Sequence, residues 1–189
     1  REAKLIKEKF GLNKDSYLLF LGRIVPEKGI TYLIAAFRQL DTDKKLVIAG
    51  GSSDTDVFMQ ELKDMTQGDR RIIFTGFIQG QMLEELYSNS FLYVLPSDLE
   101  GMPLSLLEAM SYGNCCVVSD IAECTEVVED KAVVFHKGNV ESLRETLQEL
   151  IDDKSRVDEY KKSASDFICS KYNWDSVVDR TIELYWKTV

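Results

Sequence analysis

The chain lacks several features that mark common classes of protein. Its 189 residues contain no apolar run near the roughly 18 residues that a membrane-spanning helix needs. Acidic residues outnumber basic ones, 32 to 23, and the formal charge of −9 argues against a protein that binds nucleic acid or anionic lipid. The chain begins at Arg1 with a charged, helix-like segment and no signal peptide, so we expect a piece of something longer.

Histidine and paired cysteines are also scarce. His136 is the single histidine, and the four cysteines include no C-x-x-C pair, which argues against a Cys/His zinc site. Cys115 and Cys116 lie together in an apolar run, which predicts buried free thiols in a reducing compartment. We therefore expect a cytoplasmic protein.

Three familiar site motifs are absent. No G-x-G-x-x-G follows a predicted strand, and neither a G-x-x-x-x-G-K-[ST] loop nor a G-x-S-x-G nucleophile turn occurs. A phosphoacceptor domain would carry acidic residues after its first strand, whereas this chain carries Arg23 there. These classes of site therefore fit the sequence poorly.

Alternating strands and helices are what the sequence does contain. Helical spacing of apolar residues recurs between the predicted strands, around 31–37, 58–65, 82–87 and 104–110, and consecutive helices follow at about 141–152, 155–170 and 174–187. Nearly continuous apolar runs predict buried strands at 17–21, 45–49, 71–75, 91–95, 115–119 and 132–135. The pattern predicts one α/β domain over 1–189, a doubly wound parallel sheet of about six strands with a helical C-terminal tail.

Two cations follow the first predicted strand. Ligands of doubly wound sheets bind beyond the carboxyl ends of the strands, and Arg23 and Lys28 lie there, with Lys28 near the start of a helix. A cation in a first helical turn opposes the helix dipole unless an anion binds. Arginine offers a planar fork to phosphate oxygens and lysine a mobile charge. The alternative is two solvated cations near Glu27.

A turn after the fourth predicted strand offers a second half of such a site. Pro103 suits the first position of a helix, and Gly101 lets a ligand approach the backbone closely. Amides without helical partners at this turn would bind phosphate or hydroxyl groups. We expect Glu100 at the start of the helix, facing the carboxyl edge of the strands. Glu108 flanks the apolar stripe, where two sugar hydroxyls or a salt-bridging lysine would satisfy its carboxylate.

The segment 96–110, with Glu100 and Glu108 eight positions apart, resembles the E-x(7)-E signature of retaining glycosyltransferases of group 1. These have the GT-B architecture, two Rossmann-like domains with the active site between them. The loop 22–29, the base-binding loop 75–77, the stretch 119–128 and the start of a closing helix at 172–175 also look like family motifs, in the same order. The resemblance covers nearly the whole chain. The family often has two glycines where this chain has Ala122-Glu123-Cys124, which leaves that loop's shape open.

The resemblance implies a role for each matching residue. Arg23 and Lys28 would hold the diphosphate of a nucleotide sugar, Glu108 would bind the ribose hydroxyls, and Glu100 would contact the donor sugar. Catalysis would rest on Glu100, Arg23 and Lys28. The backbone would supply the remaining contacts, to sugar and phosphate from Gly101, Met102, Pro103 and Leu104, and to the base from Gly76, Phe77 and Ile78.

The resemblance also implies what the whole protein does. It would move a hexose from a nucleotide-diphospho-sugar, with UDP-sugar favoured over GDP-sugar, to a glycan, lipid or other acceptor, and this family needs no metal. The acceptor domain would lie N-terminal to this chain and would carry any membrane contact, so we expect this piece alone to bind donor without transferring sugar. Two alternatives remain open, a nucleotide-sugar epimerase-like half and a non-catalytic nucleotide-binding domain.

Overall fold

Six parallel strands form the centre of the protein, which was analysed as a computed structural model that describes residues 1–51 and 56–173. The strand order is β3-β2-β1-β4-β5-β6, and all five pairings are parallel. The strands are β1 (Tyr17–Leu21), β2 (Lys45–Ala49), β3 (Ile72–Gly76), β4 (Leu92–Leu95), β5 (Cys116–Ser119) and β6 (Val133–Phe135).

Helices cover both faces of this sheet. They are α1 (Leu5–Phe10), α2 (Ile30–Phe37), α3 (Asp56–Met65), α4 (Gln81–Asn89), α5 (Leu104–Ser111), α6 (Ala122–Val128), α7 (Val140–Asp152) and α8 (Lys154–Lys171). Helix α2 packs against α3 and α7, while α1 packs against α4 and α5 against α8. The chain first adds β2 and β3 on one side of β1 and then adds β4, β5 and β6 on the other side. Because crossovers between parallel strands are right-handed, α2 and α3 lie on one face of the sheet and α4 and α5 on the other.

The apolar character of the strands follows from this arrangement. Every residue of β4 and β5 is buried, as are the first four of β1, because helices shield both sides of each central strand. The predicted buried thiols are confirmed for Cys115 and Cys116, and burial raises the pKa of Cys115 to about 12. No helix among the described residues is long and apolar enough to cross a membrane.

The predicted fold class, a Rossmann-like parallel sheet of six strands, is confirmed. Two of the predicted strands, 17–21 and 45–49, have the observed bounds, and the other four begin one residue later than predicted. Helix α6 was not predicted, because its seven residues are too few for a clear helical period. The predicted helices at 141–152 and 155–170 correspond to α7 and α8. The predicted helix at 174–187 lies outside the described residues.

Candidate functional site

The strand order reverses between β1 and β4, and a cleft of about 630 Å³ opens at the carboxyl ends of these strands. We call it the switch-point cleft, since such crevices are where doubly wound sheets bind their ligands. The loops after β1 and β4 form its walls, with Gly22, Arg23, Glu27, Lys28, Leu99, Glu100, Gly101, Met102, Pro103, Leu104 and Ser105.

A close backbone contact joins these two loops. Gly29 follows a short 3-10 turn over Pro26–Lys28 and has a φ of +64°, a conformation that glycine adopts without strain. A Cβ at Gly29 would stand 2.0 Å from the carbonyl oxygen of Pro96, so no side chain fits. The amide of Asp98 also donates to the carbonyl of Glu27 at 2.8 Å. Together these contacts set the distance between the two walls of the cleft.

Glu100 lies at the centre of the contact between the walls. Its Oε1 accepts from Lys28 Nζ at 2.6 Å and from the Ser97 hydroxyl at 2.6 Å. The ion pair is buried, with 14% of the Lys28 side chain and 5% of the Glu100 side chain exposed. The Ser119 hydroxyl in turn donates to the carbonyl of Ser97. Sequence reasoning missed Ser97, whose only signal was its position three residues before Glu100.

Arg23 is the other cation of the cleft, and its situation differs. Its side chain is exposed, and its guanidinium has no ion-pair or hydrogen-bond partner among residues 1–51 and 56–173. The five N–H donors of this permanent cation are therefore free, at a residue that lines the cleft. The two predicted cations do meet in one cleft, but only Arg23 is unpaired, whereas Lys28 contacts a carboxylate.

The turn before α5 presents free amides to the same cleft. Within the described part of the chain, the amides of Gly101, Met102 and Ser105 have no hydrogen-bond acceptor. The amide of Leu104 is not free, because it donates to the carbonyl of Met102 at 2.9 Å. The positive end of the helix dipole adds to the attraction that such a turn exerts on an anion.

Two details of the predicted turn were wrong. Pro103 is the cap and not the first helical residue, since its ψ of 72° is not helical, and α5 begins at Leu104. Glu100 therefore lies four residues before the helix and not at its start. A bend at Gly101 and Met102 separates the two and turns Glu100 toward Lys28.

A second, smaller cleft of about 150 Å³ adjoins the first at Gly22 and Arg23. Phe77 and Ile78 form one wall of it, and the Phe77 side chain is largely exposed. Gly76 lines neither of these two clefts, and its carbonyl accepts from the Gly50 amide at 3.0 Å. Of the three residues expected to contact the base, Phe77 and Ile78 thus lie in the same cleft as Arg23.

Glu108 lies outside both of these clefts. Its side chain is exposed beside a groove between α5 and α8, which we call the apolar groove and which Met102, Leu104, Leu107, Glu108, Ser111, Ile168, Cys169, Tyr172 and Asn173 line. Met102 and Leu104 also line the switch-point cleft, so the two spaces adjoin at these residues. The lysine partner that was the alternative to sugar hydroxyls is not found among the described residues. Instead, the hydroxyl of Tyr87 donates to Glu108 Oε2 at 2.9 Å.

Burial and nearby charge together shift the titration of groups behind the cleft. Burial, and next the charge of Glu100, raise the pKa of the Cys124 thiol to about 12, so Cys124 is inert as a nucleophile. Burial also raises the pKa of Tyr87 far above its usual range, an effect that the charge of Glu108 reinforces. Tyr87 is therefore a hydrogen-bond donor at every physiological pH.

Comparison with known protein sequences places the chain in a family. Residues 2–182 match the family described as Glycosyl transferases group 1. An uncharacterized glycosyltransferase of Methanocaldococcus jannaschii is 29% identical over 175 residues, which cover 90% of this chain and 45% of the relative. The alpha-maltose-1-phosphate synthase of Mycolicibacterium smegmatis is 28% identical over 181 residues, with 89% and 47% covered. The chain thus spans about half the length of these relatives.

Solved structures share its fold. Anabaena HepE, crystallised with UDP and glucose, superposes with a TM-score of 0.86 at 18% identity, over 97% of this chain and 51% of that one. Sucrose-phosphate synthase from Thermosynechococcus elongatus gives a TM-score of 0.81 at 23% identity, over 96% and 48%. The sequence match spans nearly the whole chain, the matched relatives are glycosyltransferases, and the fold agrees: the chain belongs to the group 1 family of glycosyl transferases.

Proposed function

We propose that the switch-point cleft binds the diphosphate of a nucleotide sugar, as the donor site of a retaining glycosyltransferase. One observation carries the proposal. The unpaired guanidinium of Arg23 and the free amides of Gly101, Met102 and Ser105 belong to the same cleft, which is an arrangement suited to an anion. Among the solved structures with this fold, HepE holds UDP and glucose, which supports a nucleotide-sugar ligand.

Lys28 has a dual role in this proposal. Its ammonium has three donors, and Glu100 Oε1 accepts one of them at 2.6 Å. The other two can reach a phosphate oxygen without breaking the ion pair. The Lys28 ammonium then lies between the Glu100 carboxylate and the diphosphate, and it holds Glu100 in place beside the leaving group.

Glu100 contacts the donor sugar in this account. Its Oε1 is occupied by Lys28 and Ser97, and Oε2 has no partner in the described part of the chain. A sugar hydroxyl at the cleft would supply that partner. When the glycosidic bond breaks, charge grows on the diphosphate, and Arg23, Lys28 and the free amides stabilise it as it grows. No metal is required in this scheme, because cations and amides supply the positive charge.

The base and the ribose would occupy the spaces on either side. The small cleft, with a volume of about 150 Å³, would hold the base. The amide and carbonyl of Ile78 have no partner among the described residues and match the donor and acceptor of a pyrimidine edge. Glu108 would bind the ribose hydroxyls where the apolar groove meets the switch-point cleft.

The whole protein would transfer a hexose to a glycan, lipid or other acceptor. Transfer needs groups on both sides of the reacting carbon, and this chain provides the phosphate side. The relatives have about twice its length, which leaves room for an N-terminal acceptor domain and any membrane contact. We place the reaction in the cytoplasm, a reducing compartment that suits the free buried thiols of Cys115 and Cys116.

A calorimetric panel tests the proposal. UDP, GDP and ADP, each free and attached to glucose or mannose, are titrated into the chain with and without a chelator. We expect UDP and a UDP-sugar to bind most tightly and the chelator to change nothing. Failure of every ligand in the panel to bind would overturn the proposal, and binding that needs a metal would overturn the metal-free scheme.

A further inference from the structure

The structure assigns a role to Tyr87, a residue outside the family signature. We propose that Tyr87 positions Glu108 and so determines how strongly the site prefers a ribonucleotide over a 2′-deoxyribonucleotide. This inference rests on the proposed function, since it assumes that Glu108 meets the ribose.

Tyr87 reaches Glu108 from beneath the surface. Only 1% of Tyr87 is exposed, so the residue itself is shielded from a ligand. Its hydroxyl donates to Glu108 Oε2 at 2.9 Å and more weakly to the carbonyl of Ser105 at 3.3 Å. A carboxylate has two acceptor oxygens, and Tyr87 contacts only Oε2. Oε1 of Glu108 is therefore left for a hydroxyl donor. Tyr87 can therefore act on a ligand only through Glu108.

The scaffold around Tyr87 is rigid, which is what a positioning residue needs. Asn114, itself buried, donates to the carbonyl of Tyr87 at 2.9 Å and to that of Ala109 in α5 at 3.0 Å, so one side chain fixes both helices. The ring of Tyr112 stacks on Tyr87, with centroids 5.3 Å apart. An exposed glutamate would otherwise sample many rotamers, and fixing one of them in advance strengthens binding.

The selectivity follows from the chemistry of the contact. A hydroxyl that donates to a fixed carboxylate forms a charge-assisted hydrogen bond, worth about tenfold in affinity or more. A 2′-deoxynucleotide lacks that donor. Because pyrophosphate lacks the ribose altogether, its affinity should not depend on Tyr87 at all.

Tyr93 offers a matched control. It is also fully buried, and its hydroxyl is hydrogen-bonded to the Ser105 hydroxyl at 2.8 Å and to the Leu21 carbonyl at 3.1 Å, without touching Glu108. Tyr93→Phe therefore removes a buried hydroxyl from the same region and leaves Glu108 as it was. Any general loosening of α5 would appear in both variants.

The experiment measures the affinity ratio of UDP to 2′-deoxy-UDP by calorimetry, with pyrophosphate alongside. We expect a ratio of about tenfold in the unmodified chain and in Tyr93→Phe, and about threefold in Tyr87→Phe. Pyrophosphate affinity should be equal in all three. In the background of Glu108→Ala, which leaves Tyr87 no side chain to position, Tyr87→Phe should change the ratio no further.

A second measurement does not depend on whether Tyr87→Phe folds. With 3-fluorotyrosine at position 87, the fluorine resonance should shift on UDP binding and stay unchanged with pyrophosphate. The role of Tyr87 would be overturned if Tyr87→Phe kept the UDP to 2′-deoxy-UDP affinity ratio of the unmodified chain, or if the fluorine resonance did not shift with UDP. Either result would leave the proposed function standing. An unmodified chain that does not bind UDP would overturn the proposed function and this inference with it.

Discussion

Lys28 Nζ lies 2.6 Å from Glu100 Oε1 and joins two loops whose residues are 72 positions apart in the chain. The pair is buried at the switch point of the sheet, where the close approach of Gly29 to Pro96 brings the loops together. One carboxylate thereby orients a cation that the family resemblance assigns to phosphate. The ion pair thus links the stability of the fold to the geometry of the candidate site.

Removing Lys28 should destabilise the fold. Breaking a buried ion pair leaves an uncompensated charge, and we expect Lys28→Met to lower the free energy of unfolding by about 3 kcal/mol. The double variant Lys28→Met/Glu100→Gln should recover part of that loss, since no charge is then left unpaired. Urea denaturation measures all of these values.

Lys131 provides the control for that cycle. It pairs with Asp130 at 2.9 Å, and the Asp130 side chain is 78% exposed. Because exposed ion pairs contribute little, Lys131→Met should stay within about 0.5 kcal/mol of the unmodified chain. If Lys28→Met and Lys131→Met lost equal amounts of unfolding free energy, burial would not be the reason that the Lys28 ion pair matters.

Arg23→Ala should weaken the binding of UDP. A charge-assisted hydrogen bond to phosphate is worth about 1.5–3 kcal/mol, so we expect the dissociation constant to rise by about tenfold to a hundredfold. Arg70 is the matched control, because it is also exposed but precedes β3, at the opposite edge of the sheet. Calorimetry should find Arg70→Ala unchanged, and a comparable loss in both variants would point to nonspecific attraction.

Glu85 should make the fold sensitive to acid. Its carboxylate is fully buried, and it accepts from the amides of Lys4 and Ile6 and from the Gln81 side chain. Burial alone would raise the pKa of Glu85, but these hydrogen bonds outweigh it and hold the pKa below its ordinary value. The stability that Glu85 contributes is therefore complete above the unfolded pKa of about 4.3 and is lost as pH falls through the lower folded pKa.

Glu85→Gln tests this acid sensitivity. The variant should be less stable at neutral pH, and its free energy of unfolding should fall less steeply than that of the unmodified chain below about pH 4.3. Glu126, which is exposed on α6, is the control, and Glu126→Gln should leave the slope unchanged. Parallel pH profiles for Glu85→Gln and the unmodified chain would show that this carboxylate is not the sensitive group.

The sequence predicted the sheet well because its strands are apolar on both faces. The run 17–21 has the bounds of β1, whereas at 91–95 the first residue lies just outside β4 although its amide still donates to Tyr17. Arg23, Lys28 and Glu100 were predicted to share one edge, and they share one cleft. Parallel strands all end at that edge, so the sequence order alone brings those loops together.

Other features of the site could not be predicted from local patterns. The Tyr87 hydroxyl meets Glu108 across 21 residues, and nothing in the helical period of α4 shows which neighbour a buried hydroxyl contacts. The pairing of Lys28 with Glu100 depends on a bend at Gly101 and Met102, where backbone conformation and not residue type decides the direction of the chain. Such contacts depend on tertiary packing.

Residues 1–189 alone should bind a UDP-sugar without transferring it. The described clefts supply groups on the phosphate side of the reacting carbon, and one domain cannot close over the sugar to exclude water. The chain is incubated with candidate donors and acceptors, and mass spectrometry detects any glycosylated product. Multiple-turnover transfer would place the acceptor site within this chain and contradict the division of roles.

The central claim is that the switch-point cleft binds a nucleoside diphosphate, and an amide-resolved NMR titration of the chain with UDP tests it most directly. We expect saturable shifts at the amides of Gly101, Met102 and Ser105 and at the Arg23 side chain, with smaller ones at Ile78. Pyrophosphate should shift the first four and leave Ile78 unchanged. Saturable binding that leaves the Gly101 and Met102 amides and the Arg23 side chain unmoved would contradict the account.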